Sequence, residues 1–79
     1  MRVRVGDVVY FRDHVVQWIA GVAVRSAELR DYAAIVCEVL NTTMVDLQVL
    51  ATASTAGRSA FNVELSYDAE KPMTWRPRE

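Results

Sequence analysis

The sequence predicts a mainly β fold, either a small SH3-like barrel or a curled antiparallel sheet of about five strands. Three observations lead there. Met44 to Leu50 alternates, with Val45, Leu47 and Val49 facing one way and Asp46 and Gln48 the other. Ala60 to Tyr67 alternates too, with Phe61, Val63, Leu65 and Tyr67 opposite Asn62, Glu64 and Ser66. A period of two is the mark of a sheet that is wet on one side. Finally, turn-forming residues separate short apolar runs along a chain of 79 residues, a length that allows one small domain and no second.

Met1 to Asp13 reads as a strand with Val3 and Val5 alternating against Arg2 and Arg4, a tight Gly6-Asp7 turn, and a second strand starting at Val8. Val15 to Ala20 is rich in β-branched and aromatic residues, and Gly21 closes it as a strand. Val22 to Asp31 carries Arg25, Glu28, Arg30 and Asp31 and reads as a solvated loop or a short helical turn. Ala33 to Leu40 fits two periods. Its β-branched Ile35, Val36 and Val39 favour a strand, and Asn41 to Thr43 then turns the chain into Met44 to Leu50 as a hairpin. Ala51 to Ser59 is small and polar around Gly57 and reads as a mobile loop that could serve as a lid. After Ala60 to Tyr67, Asp68 to Pro72 turns, and Met73 to Trp75 adds a short edge strand that Pro77 ends.

Composition narrows the function classes. The net charge of -1 gives no broad attraction to nucleic acid or to an anionic membrane, so any phosphate recognition is local. Of nine cations only Lys71 is lysine; the eight arginines offer planar forks for phosphate, carboxylate and aromatic faces, although a GC-rich genome favouring Arg codons is the preferred explanation of their number. The apolar share of 52% is high for so short a chain, and self-association into a homo-oligomer would bury part of it. Cys37 stands alone inside an apolar run and is expected to be a buried, inert thiol, as suits a reducing cytoplasm. The longest apolar stretch, Val15 to Val24, falls short of the roughly 20 residues that span a bilayer. With Asp7 and Asp13 so early, no signal peptide is expected, and the chain reads as mature and soluble.

Catalytic chemistry finds few residues to work with. His14 is the only histidine, so neither a nucleophilic triad nor a zinc site can be assembled from His and Cys, and no cofactor is expected. Gly6, Gly21 and Gly57 lie too far apart for a phosphate cradle. Asp68 and Glu70 could do acid-base work, but Asp in a turn has a shape reason to be there. The richer set is aromatic and basic. Tyr10, Trp18, Tyr32 and Trp75 supply flat faces, while Arg12, Arg58 and Arg76 supply forks, the combination that binds nucleotides by stacking and charge-assisted hydrogen bonds. The candidate ligand-binding residues are therefore Arg12, Trp18, Arg58, Phe61, Asn62, Trp75 and Arg76. For Trp18 core packing is the expectation to set against stacking. Trp75 could equally cap the barrel bottom, Arg58 could be a solvated loop residue, and Asn62 could merely bond a neighbouring strand.

The second half carries a further pattern: Ala33-Ala34-Ile35-Val36, Val39, Val45-Asp46-Leu47 with Val49-Leu50, Phe61-Asn62, Val63, Tyr67-Asp68, and Pro72 with Thr74-Trp75. From Ala33 to Pro77 it resembles a group of small proteins encoded by tailed phages, with "AAIV", "V-L-V", Phe-Asn, "YD" and "TW" segments in that order. Arg76 stands where the group often has His and Trp, and the Ala51 to Ser59 loop lacks an Asn-Pro-Thr-Gly run. The resemblance implies a phage origin and a compact β fold, and it leaves the activity open. Together these readings lead to the expectation of a non-enzymatic, oligomeric phage protein that sequesters a small nucleotide-derived defence signal in the cytoplasm of an infected bacterium. An SH3-like protein-interaction module and a virion accessory protein are the alternatives.

Overall fold

The computed structural model describes residues 3–52 and 57–78. They form five strands, β1 (Val8–Ile19), β2 (Val22–Val39), β3 (Met44–Val49), β4 (Arg58–Leu65) and β5 (Thr74–Pro77), and these close into a barrel in chain order. All neighbours pair antiparallel except β4 and β5, which run parallel. The sheet is therefore closed rather than open and curled.

One core fills it. Val9 and Phe11 from β1, Tyr32, Ala34 and Val36 from β2, Val45, Leu47 and Val49 from β3, Ala60 and Val63 from β4, and Trp75 from β5 are all buried. β1, β2 and β3 contribute alternate residues, as a pleated ribbon does, whereas β4 contributes Ala60 and Val63, three apart. At the foot of the barrel Thr43 carbonyl oxygen accepts from Trp75 Nε1–H at 3.0 Å and from Leu65 N–H at 2.7 Å, so the β2–β3 turn is tied to both closing strands. That turn forms as expected: Asn41 Oδ1 accepts from the backbone amides of Thr43 and Met44, each at 2.9 Å.

Several expectations are corrected. Val3 to Val5 is not a strand. Arg4 and Asp7 close a turn on themselves, and Gly6 N–H and Asp7 carbonyl oxygen clamp the two sides of Val36, at 2.8 and 2.9 Å. Val22 to Asp31 is neither loop nor helix but the first part of the 18-residue β2. Its charges misled because this stretch has solvent around it, and a bulge opposite Val15, between the pairs His14↔Leu29 and Val16↔Arg25, breaks the alternation. At the end of β1, Ala20 and Gly21 both take positive φ (54° and 79°), the two-residue turn whose twist suits a hairpin. β5 is not an edge strand, since it pairs with both β1 and β4, and Pro77 lies inside its ladder opposite Val9.

Two more bulges redirect side chains. Asp46 on β3 faces one on each side. On β2 the extra residue lies between the pairs Val36↔Leu47 and Glu38↔Asp46, and it leaves Cys37 exposed rather than buried. On β4 the bulge lies between Ala60↔Leu47 and Val63↔Val45; Asn62 takes φ 54° there and donates its amide to Asp46 Oδ1 at 2.8 Å. This flips the phase of β4: Ala60 and Val63 point in, and Phe61, expected on the apolar face, points out. Tyr67 lies beyond the strand and is exposed as well. Of the expected loop Ala51 to Ser59, residues 53–56 fall outside the described residues, while Arg58 and Ser59 already belong to β4.

Asn62 pays a conformational cost that glycine would not, so Asn62→Gly should stay within about 0.5 kcal/mol of the parent, whereas Asn62→Val should lose about 1–2 kcal/mol in urea unfolding. Leu47, 1% exposed at the centre of the core, should lose about 2–5 kcal/mol on truncation to Ala. In so small a domain that approaches the whole stability, and thermal melting by circular dichroism will show it.

Candidate functional site

The barrel does not gather the seven sequence candidates at one place. Arg12 and Arg76 do meet. Alternation on β1 places Tyr10 and Arg12 on the outer face, and the register sets Asp31 of β2 opposite Arg12 and Arg76 of β5 opposite Tyr10. Asp31 then lies between two guanidiniums: Arg12 Nε donates to its Oδ1 at 3.1 Å, and Arg76 pairs with its Oδ2. Arg12 also donates to Asp68 carbonyl oxygen at 2.9 Å, which fixes the Asp68 turn against the sheet. Within that turn the Asp68 carboxylate accepts from Glu70 N–H, so its side chain serves the turn's shape. The Arg76 guanidinium lies over the Tyr10 ring, 4.8 Å from its centroid. Its buried Nε has no hydrogen-bond acceptor. Sequence reasoning had placed Tyr10 among the aromatics but left Asp31 out. Its signal was phase, because Asp31, Ala33 and Ile35 alternate outward while Tyr32, Ala34 and Val36 alternate inward.

Arg58 sits elsewhere, at the mouth of the barrel. It forms an ion pair with Asp13 and stands over the fully buried Phe11, 5.3 Å from the ring centroid. It is a lid on the core as much as a charge, with its stem on apolar surface and its head outward. Beside it a cavity of about 210 Å³ is lined by Asp13, His14, Val16, Arg25, Tyr32, Val49, Arg58 and Met73. His14 is held in place there, since its Nδ1 lies 2.9 Å from the Ser26 carbonyl oxygen and must carry the proton in that bond. An open hollow of about 490 Å³ lies at the other end of β1, between Val3, Gly6, Asp7, Val8, Val9, Pro77 and Arg78.

The other four candidates are scattered. Trp75 is buried and bonded to Thr43, the barrel-bottom role. Phe61 and Asn62 occupy the β4 bulge. Trp18, expected in the core, is 73% exposed. It sits near the tip of an arm made by the far ends of β1 and β2, where Val16, Ile19, Val22 and Val24 are exposed too. β5 pairs with β1 only from Val9 to Arg12, and β3 with β2 only from Ala34 to Val39, so no third strand joins the arm among the described residues.

Comparison with protein-family models, curated proteins and solved structures finds no match. Among the described residues no group of three or more His, Cys, Asp or Glu side chains is placed to hold a metal ion. None of those residues forms a helix long and apolar enough to cross a membrane.

Arg58→Ala would uncover Phe11 and leave Asp13, only 13% exposed, without its cation. A loss of about 1–3 kcal/mol is expected in urea unfolding, part of it recovered when Asp13→Ala is added. Equal losses in the single and double variants would show that the pair contributes nothing beyond cover.

Proposed function

We propose that this chain is a non-enzymatic binding protein that captures a small anionic, nucleotide-derived ligand and works as an assembly of its own copies. In the setting its phage-like pattern implies, it would sequester a defence signal in the cytoplasm of an infected bacterium. The observation that supports the reading best is the outer-face cluster. Two guanidiniums share the single carboxylate of Asp31, so the trio carries one uncompensated positive charge. Tyr10 backs the Arg76 guanidinium, whose side chain stays 29% exposed and so partly open to a base or an anionic group. A patch of this kind binds weakly while open; sequestration requires a partner surface that encloses it.

The alternative, a protein-interaction module or virion accessory protein, is favoured by the exposed apolar arm. Recovery of one stoichiometric foreign protein from infected cells, with no small ligand bound, would select it.

Calorimetry against cyclic nucleotides and ADP-ribose derivatives tests the ligand reading. Arg76→Gln is expected to weaken binding roughly ten- to hundred-fold, the worth of a charge-assisted hydrogen bond. Asp31→Asn frees both guanidiniums and should strengthen it, with the gain fading as salt is raised. Silence across the panel, or Asp31→Asn weakening a ligand that does bind, would rule the cluster out.

A further inference from the structure

We propose that the cavity at the mouth of the barrel, where the base of the arm meets it, binds a small monoanion with an apolar body, a short branched or aromatic carboxylate. It shares no residue with the Arg12–Asp31–Arg76 cluster and is independent of the nucleotide reading.

The whole barrel builds this cavity. Asp13, His14 and Val16 come from β1, Arg25 and Tyr32 from β2, Val49 from β3 and Arg58 from β4, while Met73 leads into β5. Barrel mouths are a common place for ligand sites. Val49, 1% exposed, and the Tyr32 ring give it a buried floor, and the exposed Val16 and Met73 stand at its opening. The Met73 amide donates to the Arg12 carbonyl oxygen at 2.8 Å, so the backbone there is fixed while the flexible thioether can adapt to a guest.

Two groups call for an anion. Tyr32 is 6% exposed, yet its hydroxyl bonds no described residue and is not sealed in, so it opens onto the cavity that the ring lines. A buried phenol normally has a partner, and here a guest can supply it. Arg25 is exposed and no hydrogen bond or ion pair engages it among the described residues. Arg58, by contrast, is matched by Asp13. The cavity therefore holds one uncompensated cation and one unused O–H donor. A carboxylate answers both, because it carries one charge and accepts at two oxygens. His14, held by its bond to Ser26, adds a flat wall for the body.

Volume sets the size of that body. At about 210 Å³ the cavity falls below the roughly 300 Å³ at which pockets begin to hold drug-sized ligands. A nucleotide is too large for it, and inorganic phosphate would leave its apolar walls unused. Acids the size of benzoate or isovalerate fit both the charge and the space.

The test is a titration of the full chain with benzoate, followed through isotope-labelled methyl groups of its three methionines. Met73 should shift and saturate with a dissociation constant on the order of 0.1–1 mM, as suits so small a ligand. Met44, at the opposite end of β3 from Val49, should stay still. Tyr32→Phe deletes a hydroxyl with no partner in the fold, so the melting temperature should stay within about 2 °C of the parent while benzoate binding weakens about tenfold. Arg25→Gln should weaken binding by about tenfold or more. Val16→Phe, made at an exposed position, should fill the cavity and abolish the Met73 shift. Benzyl alcohol, without the charge, and inorganic phosphate, without the body, should each bind at least about tenfold more weakly than benzoate. A tripeptide with a free C-terminal valine offers the same chemistry: tighter binding than isovalerate would assign the carboxylate to a chain end, weaker binding to a free acid. No saturable shift of Met73 at about ten times the expected constant would overturn the inference. So would full affinity in Tyr32→Phe and Arg25→Gln, or an equal Met73 shift with benzyl alcohol or adenosine monophosphate. Arg76→Gln should leave benzoate binding unchanged, so this site and the nucleotide reading can fail separately.

Discussion

Closure of the barrel depends on four residues. β5 joins the two ends of the sheet, antiparallel to β1 on one side and parallel to β4 on the other. Its alternation divides the work. Trp75 points inward and bonds Thr43 at the foot of the barrel, while Arg76 points outward over Tyr10 and onto Asp31. The inner side chain fixes where the strand lies, and that position puts the outer one within reach of the Arg12–Asp31 pair. Damage to Trp75 packing would therefore reach the cation cluster without touching any of its members.

The fold was legible wherever a strand keeps an unbroken period of two. β3 is the clearest case: Val45, Leu47 and Val49 were assigned to the core from alternation alone, and all three are buried. The hairpin before it followed from Asn41, whose side chain caps the turn. Reading failed at the bulges. A bulge shifts the phase by one residue without any composition signal, and side-chain direction reverses with it. Phe61 and Cys37 were misplaced for that reason, each beside a bulge that faces Asp46 from one side. The positive φ of Asn62 was the available clue, since Asn tolerates that region better than most residues. The length of β2 was hidden differently. Arg25, Glu28 and Arg30 are loop-like in composition because that part of the strand leaves the barrel and has no core to face.

The same cause scattered the site. Candidate residues were chosen by chemistry, and chemistry does not say which side of the sheet a residue occupies. Arg12 and Arg76 share the outer face because the registers of β1 with β2 and with β5 align them. Arg58 is drawn to the mouth by the inward Asp13. Trp18 was read as core because a tryptophan in an apolar run usually is; here the run extends past the barrel, and no interior exists at that height.

On β1 the outward phase runs through Tyr10, Arg12, His14, Val16 and Trp18 without interruption, since the bulge near Val15 lies on β2 alone. The cation cluster, the rim of the base cavity and the tip of the arm are consequently successive stations on one face of one strand. Enclosure is what separates weak anion attraction from sequestration, because water is removed from around the charges as the site closes. In the single chain the uncompensated charge lies on the same face of β1 as the exposed tryptophan, so a ligand sequestered there would require that face to be covered.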